Sequence, residues 1–244
     1  MSLLEVHGLS RHFGGLIAVA DFSLTVAPGE LLSLIGPNGA GKTTVFDLLS
    51  GFLRPDAGEI LLKGHSIVGL KPHRICQLGL TRTFQLTRPF AHLTVLENVR
   101  VGALTRIPVR GEAEARAWQV LEEVGLAACA HLPAGSLTLA DRKRLELARA
   151  LATEPALFLL DEVMSGLTPP ETERMVELIR RINGEGPAVV LIEHVMRAVM
   201  ALSERVLVLS GGLLIASGPP EVVANDPRVI EVYLGEEYAA TPPD

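Results

Sequence analysis

An α/β fold with an antiparallel β layer and a helical insert is the class that three observations predict. The first is the fully apolar run LLSLI, 31–35, which leads into a glycine-rich turn and then a helix starting near Lys42; unbroken apolar strands of this kind belong to buried sheets covered on both faces. The second is its recurrence: Ala156 to Leu160, Ala188 to Ile192 and Arg205 to Leu209 are apolar runs, each preceded by a helix-compatible segment, as strands joined by crossover helices are. The third is a different opening, in which short β-type runs, Leu3 to His7 and Leu16 to Val26, end at the turn signals Gly14-Gly15 and Pro28-Gly29. Between about residues 85 and 154 the character turns helical, with stretches from Glu112 to Val124 and from Arg142 to Thr153. The expected division is one domain over 1–235, its core drawn from 1–84 and 155–235, its insert from 85–154, with a frayed tail at 236–244.

Composition narrows what such a domain can do. The 244 residues are 48% hydrophobic and 20% charged, enough for a conventional core and inconsistent with disorder. Apolar runs such as Leu157 to Leu160 fall far short of the roughly 18 to 20 residues of a membrane helix, and residues 1–16 hold Glu5, Arg11 and two histidines where a secretory signal would be apolar. A cytosolic location is expected. Cys76 and Cys129 lack the clustered spacing of a zinc site and are read as plain thiols. The net charge of −6 gives no basic field for nucleic acid, which is not an expected partner.

The sharpest local signal is GPNGAGKTT, comprising Gly36, Pro37, Asn38, Gly39, Ala40, Gly41, Lys42, Thr43 and Thr44. It satisfies G-x-x-x-x-G-K-[ST] between a strand and a helix, the setting in which that pattern marks a P-loop NTPase. Its glycines let successive backbone N–H groups turn inward around phosphate oxygens, and the helix start adds its positive dipole end. Lys42 is placed to reach the β- and γ-phosphates of ATP, and Thr43 to ligate Mg²⁺. Downstream, LFLL ends in Asp161-Glu162, two carboxylates at the carboxyl edge of a buried strand, where α/β sheets bind ligands. Taken alone the pair could be a solvated turn; after a P-loop, Asp161 is expected to hold Mg²⁺ through water and Glu162 to accept the proton of the attacking water.

With the P-loop, the strand ending Asp-Glu, Gln85 in TRTFQ and His194 at the end of AVVLIEH, the chain resembles an ATP-binding-cassette ATPase from about Leu3 to Gly235. The resemblance implies that Gln85 senses Mg²⁺ and the membrane subunit, that His194 contacts the γ-phosphate, and that Phe13 of RHFGG stacks on adenine. Without it, Gln85 or His194 alone would read as structural or solvated, and Phe13 as a core residue.

The family's usual signature, Leu-Ser-Gly-Gly-Gln, is LTLAD here, Leu137 to Asp141. Thr138 keeps the hydroxyl, Ala140 puts a methyl where glycine permits close backbone approach, and Asp141 puts a carboxylate near a phosphate site at a helix start. RKRLELARAL follows and is very like the family's signature helix. Val163 replaces the usual proline after Asp-Glu, and Thr168 stands where many members have aspartate.

Within the family, RTFQ-x-x-RPF-x-x-LTVLENV, GLTP and the ending VYLGEE resemble the subunits that energise uptake of branched-chain and other hydrophobic amino acids. That implies a peripheral protein on the cytoplasmic face of the inner membrane. Its partners would be integral-membrane permease subunits, which contact Leu86 to Val99, and a second cassette, identical or related, in a head-to-tail pair. Similar cassettes export lipids, and others work without moving a solute; both remain alternatives.

Overall fold

The computed structural model describes residues 2–85 and 88–240. Two sheets organise it. Strands β1 (Leu4–Phe13) and β2 (Leu16–Val26) form an antiparallel hairpin, and β4 (Ala57–Leu62) and β5 (His65–Ser66) extend it to the order β2-β1-β4-β5. Strand β1 is longer than the predicted Leu3 to His7, because register shifts after Val6 and Leu9 carry its pairing past the glycine at position 8 to Phe13.

The second sheet takes β3 (Leu31–Ile35), β6 (Leu80–Arg82), β7 (Leu157–Asp161), β8 (Ala188–Ile192), β9 (Arg205–Ser210) and β10 (Leu213–Gly218) in the order β10-β9-β3-β8-β7-β6. The strands β9 to β6 of that order run parallel and β10 is antiparallel to β9. Every residue of β3, β7 and β8 is buried, as the unbroken apolar runs predict. Period-2 alternation then divides the sheet's two faces. Phe158, Leu160, Val189 and Leu191 join a core with the helices on one side. Leu157, Leu159, Val190 and Ile192 join a core with the first sheet and with α1 (Lys42–Leu49) on the other.

The connections follow from capping and turn chemistry. Helix α2 (Pro72–Leu78) has proline at its first position and ends on Gly79, φ +108, in the left-handed region. Helix α3 (Val95–Ala103) starts at a reciprocal box between Thr94 and Glu97. Helices α4 (Arg110–Glu123) and α5 (Leu139–Leu151) pack against α3. Helix α5 starts three residues before the predicted Arg142, because the Thr138 hydroxyl accepts from the N–H of Asp141. After β7 comes α6 (Pro169–Gly184), then α7 (Met196–Leu202), α8 (Pro220–Ala224) and α9 (Pro227–Ala240). Helix α9 thus continues into the stretch read as a tail; residues 241–244 and positions 86 and 87 lie outside the described residues. Among the described residues no helix is long and apolar enough to cross a membrane.

Candidate nucleotide site

Because β3, β8 and β7 are neighbours and parallel, their carboxyl ends bring Gly36, His194 and Glu162 to one edge of the sheet. The loop from Gly36 to Gly41 is shaped by close backbone contacts at its first and last glycines. A Cβ on Gly36, φ +147, would lie 2.0 Å from the carbonyl oxygen of Leu209, and one on Gly41, φ +105, 2.3 Å from that of Ala18. Gly41 caps α1, so the N–H groups of the first helical turn end at the loop. Lys42 is 6% exposed, and its Nζ donates to the carbonyl oxygens of Gly36 at 2.6 Å and Pro37 at 2.8 Å. Ala40 is buried and its carbonyl accepts from Gly212, while Asn38, Gly39 and Thr43 are exposed and Thr44 half-buried.

The β1–β2 hairpin borders this loop, as the approach of Ala18 to Gly41 shows. At its tip Phe13 is 44% exposed, with the Arg11 guanidinium 5.0 Å from the ring centroid. This exposure rules out the core reading of Phe13.

Glu162 lies at the centre of a three-residue contact. Gln85 Nε2 donates to its Oε2 at 2.6 Å, and His194 Nε2 lies 2.8 Å from its Oε1, a hydrogen bond when that nitrogen carries the proton. The glutamate adopts φ +48, a left-handed conformation rare for a residue with a side chain, and its N–H donates to the carbonyl of Ile192 on β8. Residues on three separate segments of the chain therefore meet at this carboxylate. The described residues hold no group of three or more His, Cys, Asp or Glu that could bind a metal unaided.

Asp161, one residue earlier, is 4% exposed. Its Oδ2 accepts from Arg82 Nη2 at 2.8 Å, and the same guanidinium bonds Asp47 of α1. Burial pushes the Asp161 carboxyl above its usual range, with the Arg82 hydrogen bond and charge opposing. Arg82 also faces the rings of Phe46 and Phe84 at 5.6 and 5.3 Å. Sequence reasoning missed Arg82, although an arginine flanked by β-type residues three positions before Gln85 is the signal of a buried partner.

Two other missed residues support the loops. Glu193 is 2% exposed and accepts from the N–H of Met164 at 2.8 Å, joining the end of β8 to the segment after Glu162; burial raises its carboxyl above the usual range. Lys143 of α5 is 4% exposed and donates to the carbonyl oxygens of Glu162 and Gln85.

Thr138, Ala140 and Asp141 stand apart from this cluster, at the start of α5. Thr138 donates to Asp141 Oδ2 at 2.8 Å, and Arg144 pairs with Asp141 Oδ1. The carboxylate in the altered signature is thus paired within its own helix. Thr168, at the aspartate position, caps α6: its N–H and hydroxyl donate to Glu171 at 2.8 and 2.7 Å. Val163 is buried in the helical core at 2% exposure.

Comparison with known proteins fits this arrangement. The family described as ABC transporter matches residues 19–165, and the one described as branched-chain amino acid ATP-binding cassette transporter matches 214–239. The chain is 43% identical to the high-affinity branched-chain amino acid transport ATP-binding protein LivG of Escherichia coli K12, over 96% of this chain and 98% of that one. It is 42% identical to BraF of Pseudomonas aeruginosa, of the same description, with the same coverage. The lipopolysaccharide export system ATP-binding protein LptB of Acidithiobacillus ferridurans is 35% identical, over 97% and 98%. Among solved structures, an ATP-binding cassette of an ABC transporter in its ADP conformation superposes with a TM-score of 0.90 at 29% identity, over 96% of this chain and 99% of that one. A nucleotide-free cassette superposes at 0.87 with 27% identity and the same coverage.

Proposed function

We propose, from the premise that this chain belongs to the ABC transporter family, that it is the ATP-hydrolysing subunit of an importer for branched-chain or other hydrophobic amino acids. The observation that carries the catalytic part is the convergence of Gln85 and His194 on Glu162, at the sheet edge that also presents the P-loop. The solute class is supported by the relatives' names and by the match at 214–239. An export cassette is the second reading, favoured by the LptB likeness at 35% identity; the higher identity to LivG and BraF places it second.

In this reading residues 1–235 are one cassette with 85–154 as its insert. The loop's N–H groups and Lys42 grip the phosphates, exchanging the carbonyl oxygens of Gly36 and Pro37 for phosphate oxygens. Phe13 stacks on the adenine, an interaction of about 1 to 3 kcal/mol for a base on an aromatic ring. Glu162 accepts the proton of the attacking water, a role of about 10²- to 10⁴-fold in rate. Gln85 and His194 hold its two oxygens, so the carboxylate cannot rotate away from the water. Mg²⁺, when bound, supplies charge neutralisation for the phosphate oxygens. Thr43, Asp161 and Gln85 are the residues that would hold it, an all-oxygen donor set of the kind the ion takes while keeping several waters.

Each site is completed by a partner cassette, whose α5 presents Thr138, Ala140 and Asp141 to the γ-phosphate. On the membrane side, Phe84 and Phe90 are 45% and 46% exposed, with Arg149 4.9 Å from the Phe90 ring. Of these, Phe90 lies in the predicted contact Leu86 to Val99 that follows Gln85, and an exposed aromatic there suits a helix of a permease subunit; Leu86 and Thr87, in the same predicted contact, lie outside the described residues. The protein then sits peripherally on the cytoplasmic face of the inner membrane.

Calorimetry and size-exclusion chromatography test the reading. Lys42→Ala is expected to lose affinity for Mg-ATP, and Glu162→Gln to keep it while accumulating a dimer. A Glu162→Gln chain that stays monomeric at saturating Mg-ATP counts against Glu162 as the base.

A further inference from the structure

Helix α5 has a second attachment that its role at a partner's nucleotide does not require. One turn in from Thr138, Lys143 is buried, and its Nζ donates to the carbonyl oxygen of Glu162 at 2.9 Å and to that of Gln85 at 3.2 Å. Three residues on, Glu146 Oε1 accepts from the N–H of Phe84 at 2.6 Å. One helix therefore holds the main chain of both segments whose side chains meet in the Gln85–Glu162 hydrogen bond.

The chemistry at Lys143 is unusual for a packing residue. A buried ammonium is costly unless its donors find acceptors, and here the acceptors are peptide oxygens on either side of the site. One of them belongs to Glu162, whose φ of +48 persists only where the surroundings over-determine it. Its N–H is tied to Ile192 on β8 and its carbonyl to Lys143 on α5, so the residue is pinned from both sides. Methionine at position 143 removes the ammonium from both carbonyl oxygens, leaves that of Glu162 to the Ser165 N–H alone, and releases one of those pins.

We propose that Lys143 is a positioning residue for Glu162. It ties the helix whose amino end meets the partner's nucleotide to the main chain of the residues that act on this chain's own nucleotide. Seating α5 at one site then sets the carboxylate at the other, and the two ATP sites of a pair communicate through this side chain. The inference rests on the paired-cassette reading above.

The test uses Lys143→Met, Lys143→Gln and Lys143→Arg in the full chain, with Mg-ATP affinity by calorimetry, thermal unfolding, and hydrolysis rates against ATP and protein concentration. For Lys143→Met kcat is expected to fall about 10²-fold, the usual cost of a misplacement near 1 Å. Affinity for Mg-ATP stays as in the wild type, the Hill coefficient drops to one, and Lys143→Arg restores most of the rate. If Lys143→Met shows no cooperative unfolding, Lys143→Gln decides by the same measurements. Wild-type kcat in either neutral variant overturns the proposal, as does a rate loss matched by an equal loss of ATP affinity. An inactive wild type, or a fully active Glu162→Gln, overturns the paired-cassette reading and this inference with it.

Discussion

Arg82→Met should lower thermal stability by more than any surface substitution in this chain. The guanidinium is 5% exposed and lies between Asp161, also 5% exposed at its side chain, and Asp47, at 30%. Methionine retains the apolar contact with Phe46 and Phe84 but removes the donors. Asp161 is then a buried carboxylate without its cation, which costs about 3–5 kcal/mol where one partner of a buried pair is deleted. For a chain of this length each kcal/mol moves the melting midpoint by about 2–4 °C, so a drop of roughly 6–20 °C is expected. Calorimetric melting of the nucleotide-free protein in EDTA measures it. Two controls isolate the mechanism. Asp47→Asn, whose carboxylate is reached by water, should cost about 1 kcal/mol or less. Arg82→Met with Asp161→Asn should recover much of the loss, because no buried charge remains to be left unpaired. A midpoint shift under about 2 °C for Arg82→Met, or a double variant no better than the single, would refute the claim that this arginine stabilises by pairing a buried aspartate.

Four further outcomes follow from features already described. Gly36→Ala should abolish Mg-ATP binding in calorimetry, since its Cβ falls 2.0 Å from the Leu209 carbonyl; intact affinity would mean that the loop can shift. Glu193→Gln should stabilise the protein more at pH 8 than at pH 5 in thermal melts. Burial raises this carboxyl above its usual 4.5, so the folded state prefers the proton, and the stability tied to that preference is lost as pH rises through the raised value. Thr168→Ala should cost about 1 kcal/mol through the lost cap on α6, read as a lower denaturant midpoint with an unchanged slope. Phe90→Asp should leave the isolated chain's hydrolysis unchanged and prevent co-purification with its membrane subunit; a stable complex would remove this surface from the permease contact.

The parts legible in the sequence were those whose signals are local. LLSLI-GPNGAGKTT could be read because strand, glycine turn and helix are consecutive, and backbone contacts at Gly36 and Gly41 exclude a side chain there. Gln85, Glu162 and His194 lie on separate segments, and only likeness to a family joined them before the structure placed Gln85 and His194 within hydrogen-bond reach of Glu162. Arg82, Lys143 and Glu193 were missed because their partners are peptide groups and carboxylates far away in the chain. Their one trace is a charge inside an otherwise buried pattern: Lys143 shares its helix face with Leu147 and Leu151, and Glu193 directly follows a strand without a polar residue. The boxes Thr94-x-x-Glu97 and Thr168-x-x-Glu171 were readable by a simple rule, and the expected correspondence of Thr168 with aspartate obscured the second.

The position of β3 in the sheet also bears on how the protein is made. Its hydrogen-bonded neighbours are β8 and β9, the segments at 188–192 and 205–210, which leave the ribosome long after the P-loop does. Until then the most apolar strand of the amino-terminal half has two bare edges, a template for wrong pairing. Nucleotide cannot rescue such a nascent chain, because the walls of its cradle, including the Leu209 carbonyl that packs against Gly36, have yet to be synthesised. Premature termination before residue 188 should therefore yield aggregate and no partly active fragment.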